Sequence, residues 1–170
     1  MGPFAELNLT NIDGVKNRSK SISAGYGFNF FNTSRLEFSF NHSFQNLTID
    51  FNPIDDEKYT SFLVGEEYDW NRAMFMYTSD QRYRFTYQLG GGVGGFYNGD
   101  NVNFNGLLSY RFQPYGSFAV RFDYNDISLP ANYGKEKLFL VGPKLDVTFT
   151  DKIFLTTFVQ YNNLQDNVNF

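Results

Sequence analysis

The sequence predicts an all-β chain: an antiparallel up-and-down β-barrel of the outer-membrane type, or an open part of one, with about eight or nine long strands. Three observations predict it. Apolar and polar residues alternate with period 2 in run after run, the runs are long, and tight and looser connections take turns between them.

The elements follow in order. Ile22, Ala24, Tyr26, Phe28 and Phe30 alternate with Ser21, Ser23, Gly25, Gly27 and Asn29. In Arg35 to Phe51 the apolar phase is Leu36, Phe38, Phe40 and Phe44, and then it shifts to Leu47, Ile49 and Phe51. Tyr59 to Tyr77 is less regular, because one register sets Glu66 and Arg72 beside Phe62, Val64, Tyr68 and Trp70. A lipid-facing arginine at mid-depth costs ~2–4 kcal/mol, so a register change is expected there. From Gln81 the phase is Tyr83, Phe85, Tyr87, Leu89, Gly91, Val93, and in the next run Val102, Phe104, Gly106, Leu108, Tyr110, Phe112. Ser117 to Leu129 offers Phe118, Val120, Phe122 and Tyr124 before a second shift to Ile127 and Leu129. A bulge, or emergence from a bilayer, would allow both shifts. Phe139 to Phe149 and Ile153 to Tyr161 close the series, and a further strand begins at Asn167. Short turns are expected at Asn32 to Ser34, Ser79-Asp80, Pro114 to Gly116 and Asp151-Lys152. Looser ones are expected at Asn52 to Lys58, Asn98 to Asp100, Pro130 to Glu136 and Gln165 to Asn167. Runs of about 12 to 18 residues exceed the ~5–6 of soluble strands and the ~9–11 that cross a membrane.

Composition agrees with two faces of opposite character. Aromatics are 20% of the 170 residues, yet mean hydropathy is only −0.40. Net charge −4 and a pI near 4.9 leave no basic stripe for nucleic acid. Cysteine is absent, which excludes disulfides, thiolate catalysis and zinc–sulfur sites. The start Met1-Gly2-Pro3 carries no signal-peptide pattern. No run approaches the ~18 apolar residues of a spanning helix, so a bilayer would be crossed by strands. The length suits a single domain over 1–170.

The stretches SYRFQPYGSF, YNDISLPANYG and LVGPKLDVTFTDKIFLTTFVQYN, within Gly95 to Asn169, resemble the C-terminal β-barrel of the Bacteroidota family called domain of unknown function 5916. That resemblance implies a fragment of a larger outer-membrane barrel. In that family the barrel follows a family-9-like carbohydrate-binding domain, so glycan or such a domain is the implied partner beside the lipid bilayer. It supplies no catalytic residue. The terminal strand looks cut, so the segment is not expected to close into a barrel by itself.

The candidate residues fall into groups. The run Gly90 to Gly95 lacks a following helix, so it reads as a strand that bends or admits bulky neighbours and not as a phosphate loop. Charges on the polar phase near the turns, namely Arg35, Glu37, Glu67, Asp69, Arg82, Arg84, Arg111, Arg121, Asp123, Lys144 and Asp146, read as a lumen network of mixed sign. Tyr59, Trp70, Tyr77, Tyr83, Tyr97, Phe112, Tyr115 and Tyr161 read as an interfacial aromatic girdle. His42 is the one histidine, and no triad or metal set forms around it on paper. Asp55-Asp56-Glu57 reads as a solvated loop. No cofactor, metal or catalytic residue is assigned, and a non-catalytic role is favoured while an enzymatic one stays open. The expected role is an integral barrel domain of the bacterial outer membrane, serving as anchor, pore or surface-binding module, with a glycan connection. Two alternatives are a soluble β-barrel holding a small apolar ligand, with its apolar phase inward, and an outer-membrane hydrolase.

Overall fold

The computed structural model describes residues 2–12, 15–54, 58–163 and 167–169. Asp55-Asp56-Glu57 lies outside them. The chain folds as one antiparallel meander: β1 (Gly2–Ile12), β2 (Val15–Asn29), β3 (Arg35–Asn46), β4 (Glu67–Thr78), β5 (Phe85–Phe96), β6 (Gly99–Arg111), β7 (Gly116–Ser128), β8 (Lys135–Thr150), β9 (Ile153–Phe158), β10 (Gln160–Asn162) and β11 (Asn167–Asn169). Each strand pairs with its sequence neighbour, as the run of hairpin turns dictates. β9 and β10 carry one register along β8 on either side of Val159, whose N–H still reaches the Pro143 carbonyl. The two segments thus act as a single strand. Among the described residues the sheet is therefore ten strands wide, against the eight or nine expected. It is not closed: among the described residues β1 pairs only with β2.

Turns at one end are residues 30–34, 79–84, 112–115 and 151–152. The β2–β3 turn places Thr33 at φ 64 and is tied by Asn32 Oδ1, which accepts from the Ser34 N–H and hydroxyl. Asp80, almost fully buried, accepts from the Arg82 N–H at 2.9 Å and from the Thr33 hydroxyl at 3.1 Å, joining two neighbouring turns. The opposite end holds Tyr97–Asn98, residues 129–134 and the long segment 47–66. The Asn98–Asp100 connection is thus a tight hairpin and not a loose loop.

The small hydrophobic core sits at this loop end. Leu47, Ile54, Phe62, Ile127 and Leu129 are its buried members. Residues 47–54 and 58–66 fold over one face of the sheet: Phe51 and Phe62 exchange backbone hydrogen bonds, and the Thr60 N–H donates to the Asn132 carbonyl. Phe62 has no exposed surface and stacks between Tyr97 and Tyr133, with ring centroids 5.1 and 4.5 Å away. Tyr68 and Trp70 join it from β4. This cap explains both phase shifts without a bulge. The β3–β4 and β7–β8 registers run unbroken. Leu47 lies beyond the end of β3, whereas Ile127 turns to the cap-covered face. The register change expected between Tyr59 and Tyr77 also does not occur. Phe62 and Val64 precede the strand, and Tyr68, Trp70 and Arg72 share the face that the cap covers.

Candidate functional site

Cross-strand partners occupy the same face, so the register sorts every side chain. One rung runs Tyr26, Phe38, Phe75, Gly91, Phe104, Tyr124, Phe139 across β2 to β8. The rung beside it on this face runs Phe28, Leu36, Tyr77, Leu89, Gly106, Phe122, Val141, Tyr161. Many of these side chains are open to solvent, Phe38 at 51% and Phe104 at 41%. Exposed apolar surface of that extent is rare on a soluble monomer.

The other face is polar and concave. Phe4 on β1 and Asn105 on β6 line one cavity of about 260 Å³ with Glu37, Ser39 and Met74. In a flat sheet, five strand spacings would hold those strands ~24 Å apart, so the sheet curls toward its polar side. The glycine run makes room for that curl. A Cβ at Gly90 would lie 2.9 Å from Asn105 Oδ1 and from Met76 Cε, and one at Gly92 would lie 2.9 Å from Asn103 Oδ1. With no side chains on β5 in the way, Arg72 of β4 reaches across it to β6, donating to Asn101 Oδ1 at 2.7 Å and Asn103 Oδ1 at 2.6 Å.

The apolar band on the convex face does not follow the rungs. Gly25 on β2 is in register, through Ser39, Met74, Gly92, Asn103 and Asn125, with Leu138 on β8. The apolar run of β2, Ile22 to Phe28, is centred on Gly25, whereas that of β8, Phe139 to Phe149, is centred on Lys144. From β2 to β8 the middle of the band thus slides about six residues toward the short turns over six strand steps, on average near one residue (~3.4 Å) per ~4.8 Å spacing. Intermediate strands are displaced the same way, with runs centred on Leu89 in β5 (Phe85 to Val93) and on Arg121 in β7 (Phe118 to Tyr124).

The charges divide between the faces. Arg35, Glu37, Arg84, Arg111, Arg121, Asp123, Lys144 and Asp146 fall on the concave side. Arg35 bonds Glu37, and Lys144 lies 2.9 Å from Asp146, which also accepts from the Thr156 hydroxyl at 2.8 Å. Arg111 donates to the Gln81 carbonyl and to the Tyr83 carbonyl at 2.7 Å. Arg121 and Asp123 make no ion pair among the described residues. They line adjoining cavities of about 460 and 320 Å³ with Leu107, Gln88, Asn105 and Lys144. Arg82 lies in a turn, where it ion-pairs with Asp80 at 2.7 Å and holds that carboxyl well below the usual carboxylate range. Glu67 and Asp69 correct the expectation of a lumen position. Their partners are Asn46 and Phe44, which puts them on the convex face beyond the apolar band. The cause is the cap, which turns the apolar phase of β4's first residues inward.

The aromatics divide too. Tyr77, Tyr83, Phe112 and Tyr115 gather at the short-turn end, and Tyr161 pairs with Val141 in an apolar rung. Trp70, Tyr97 and Tyr59 belong to the cap instead: Trp70 lies on the concave face 4.9 Å from Tyr97, and Tyr59 packs on Gly134. Burial pushes the Tyr97 phenol above its ordinary value. His42 sits on the convex face with Asn71 Oδ1 2.9 Å from its Nδ1. Ser43 projects from the opposite face and donates to Asn41, so no nucleophile–base pair forms between the neighbours. Among the described residues no group of three or more metal-ligating side chains forms. What sequence reasoning missed was the cap and the concave cavities around Arg121 and Asp123. The apolar residues that break phase, Leu47, Ile127 and Leu129, were the signal for the cap.

Family models, curated proteins and solved structures were all compared with the chain, and none of them matches it.

Proposed function

We propose that this chain is a wall of an outer-membrane β-barrel, with its convex face against lipid and its polar concave face toward the lumen. The sliding apolar band carries the reading. A slide of one residue per strand corresponds to strands tilted by ~35° from the normal of a level apolar slab, from the ratio of the two spacings. Transmembrane barrel strands tilt by ~35–45°. The run from Val102 to Tyr110 on β6 then stands ~22 Å tall and the Phe139 to Phe149 run on β8 ~28 Å, against ~25 Å for a lipid-facing band. A soluble barrel with an apolar interior has no use for such a slab on its outer face.

Within this reading the cap favours an anchor or surface-presenting role over an open pore. Residues 47–54 and 58–66 lie folded on the concave face, where a free passage would run. The resemblance of Gly95 to Asn169 to a barrel that follows a carbohydrate-binding domain supports the glycan connection as part of the same proposal. Folding the chain into vesicles tests the reading: the expected product is a β-rich, vesicle-embedded species whose gel mobility changes on heating. A chain that stays folded and soluble without detergent would overturn it.

A further inference from the structure

We infer that the convex face carries a site for one phospholipid with a primary-ammonium zwitterionic headgroup, seated where β6, β7 and β8 leave the apolar band. The inference rests on the membrane reading above. Three successive rungs grade from charged to apolar there: Asp100, Ser128, Lys135; then Val102, Asp126, Lys137; then Phe104, Tyr124, Phe139. A cavity of about 630 Å³ opens over the first two, with Glu136 between Lys135 and Lys137 also on its lining. In the second rung charge is already matched, since Lys137 lies 3.3 Å from Asp126. In the first it is not. Asp100 and Lys135 make no ion pair among the described residues. They stand two strand spacings apart, ~10 Å between backbones, with only the short Ser128 between them.

That gap suits a ligand that carries both charges. A phosphate would sit by Lys135, and an ammonium that donates N–H bonds would sit by Asp100. Charge-assisted bonds of this kind are among the stronger ones. The acyl part has its own place. Val102 also lines an adjoining groove of about 400 Å³, walled by Phe38, Phe75, Val93 and Phe104. Gly91 forms its floor, where a Cβ would lie 3.0 Å from the Phe75 ring. The charged cavity and the apolar groove thus share a wall, in the order headgroup then chain that a lipid in the slab requires.

The test uses the full chain folded into vesicles of equal ethanolamine and glycerol phospholipid with matched acyl chains. Insertion is scored by heat-modifiable gel mobility. The protein is then extracted in mild detergent, and its bound lipid is counted by native mass spectrometry. The expected result is one retained lipid, enriched several-fold for ethanolamine over the vesicle ratio. D100N/K135Q should return the ratio to that of the vesicle. V102W, which fills the shared wall without changing charge, should lower retention of both lipids. An inserted protein that retains lipid in the vesicle ratio, or whose enrichment survives D100N/K135Q, overturns the site and leaves the membrane reading standing. A chain that never inserts overturns both.

Discussion

Arginine placed at Leu145, Phe139 and Phe38 in turn separates a lipid-facing slab from an apolar face that merely meets water. All three lie on the convex face, and Phe38 and Phe139 belong to one hydrogen-bonded rung. Their places in the slab differ. Phe38 is the midpoint of the β3 run Leu36 to Phe40, and Leu145 is next to the midpoint of the β8 run. Phe139 begins the β8 run, about five residues or ~17 Å along the strand from that midpoint. At a tilt of ~35° this is ~14 Å of depth, just outside the half-height of a ~25 Å band. Arginine costs ~2–4 kcal/mol at mid-depth and ~0–1 near the interface. Phe38→Arg and Leu145→Arg should therefore each destabilise the vesicle-embedded protein by about 2–4 kcal/mol, and Phe139→Arg by about 1 or less. Exposed positions in water usually change stability by no more than ~0.5 kcal/mol. Reversible urea titration from vesicles reads the difference directly. Equal costs at Phe38 and Phe139, or three values within ~0.5 kcal/mol of zero, would refute the slab.

Two further outcomes follow from the cap and the turns. Phe62→Ala empties the centre of the cap and should open segment 47–66 at a local cost of ~3–5 kcal/mol. Protease nicking there should quicken while β-sheet circular dichroism holds, and an unchanged nicking rate would count against a packed cap. Asp80 has its folded-state pKa lowered by the Arg82 and Thr33 bonds. Its contribution is whole above about pH 4, where the unfolded carboxyl is also charged, and it shrinks as pH falls toward the folded-state value. The stability difference between wild type and Asp80→Asn should thus narrow below about pH 4 in a series of thermal melts. A difference independent of pH would contradict the charged contact.

The alternation of Val102 to Tyr110 with Asn101 to Ser109 made β6 readable from the chain alone, because period 2 fixes both the strand and its two faces. The glycine run was readable for a similar reason: no helix follows it, so its glycines had to serve neighbouring strands. Which face each end of a strand presents was not. Tyr68 and Trp70 look like lipid-facing aromatics until the cap is seen to cover the concave face at their level, and the same inversion sends Glu67 and Asp69 outward. Leu47, Ile49 and Phe51 keep period 2 past the end of β3, which reads as more strand and not as a segment that folds back, so the cap had to come from tertiary packing. The pairing of Arg35 with Glu37 and of Lys144 with Asp146 was suggested by mixed charge on one phase. That Arg121 and Asp123 make no ion pair among the described residues depends on side-chain reach, which spacing does not give.

The central claim is that the convex face meets lipid and the concave face does not. Spin labels placed singly at Leu108 and Ser109, neighbours on opposite faces of β6 in the vesicle-embedded chain, test it most directly. The account predicts that Leu108 is reached by oxygen dissolved in the bilayer and shielded from a water-soluble nickel reagent, with the reverse order at Ser109. A Leu108 label open to nickel, beside a Ser109 label in apolar surroundings, would contradict it.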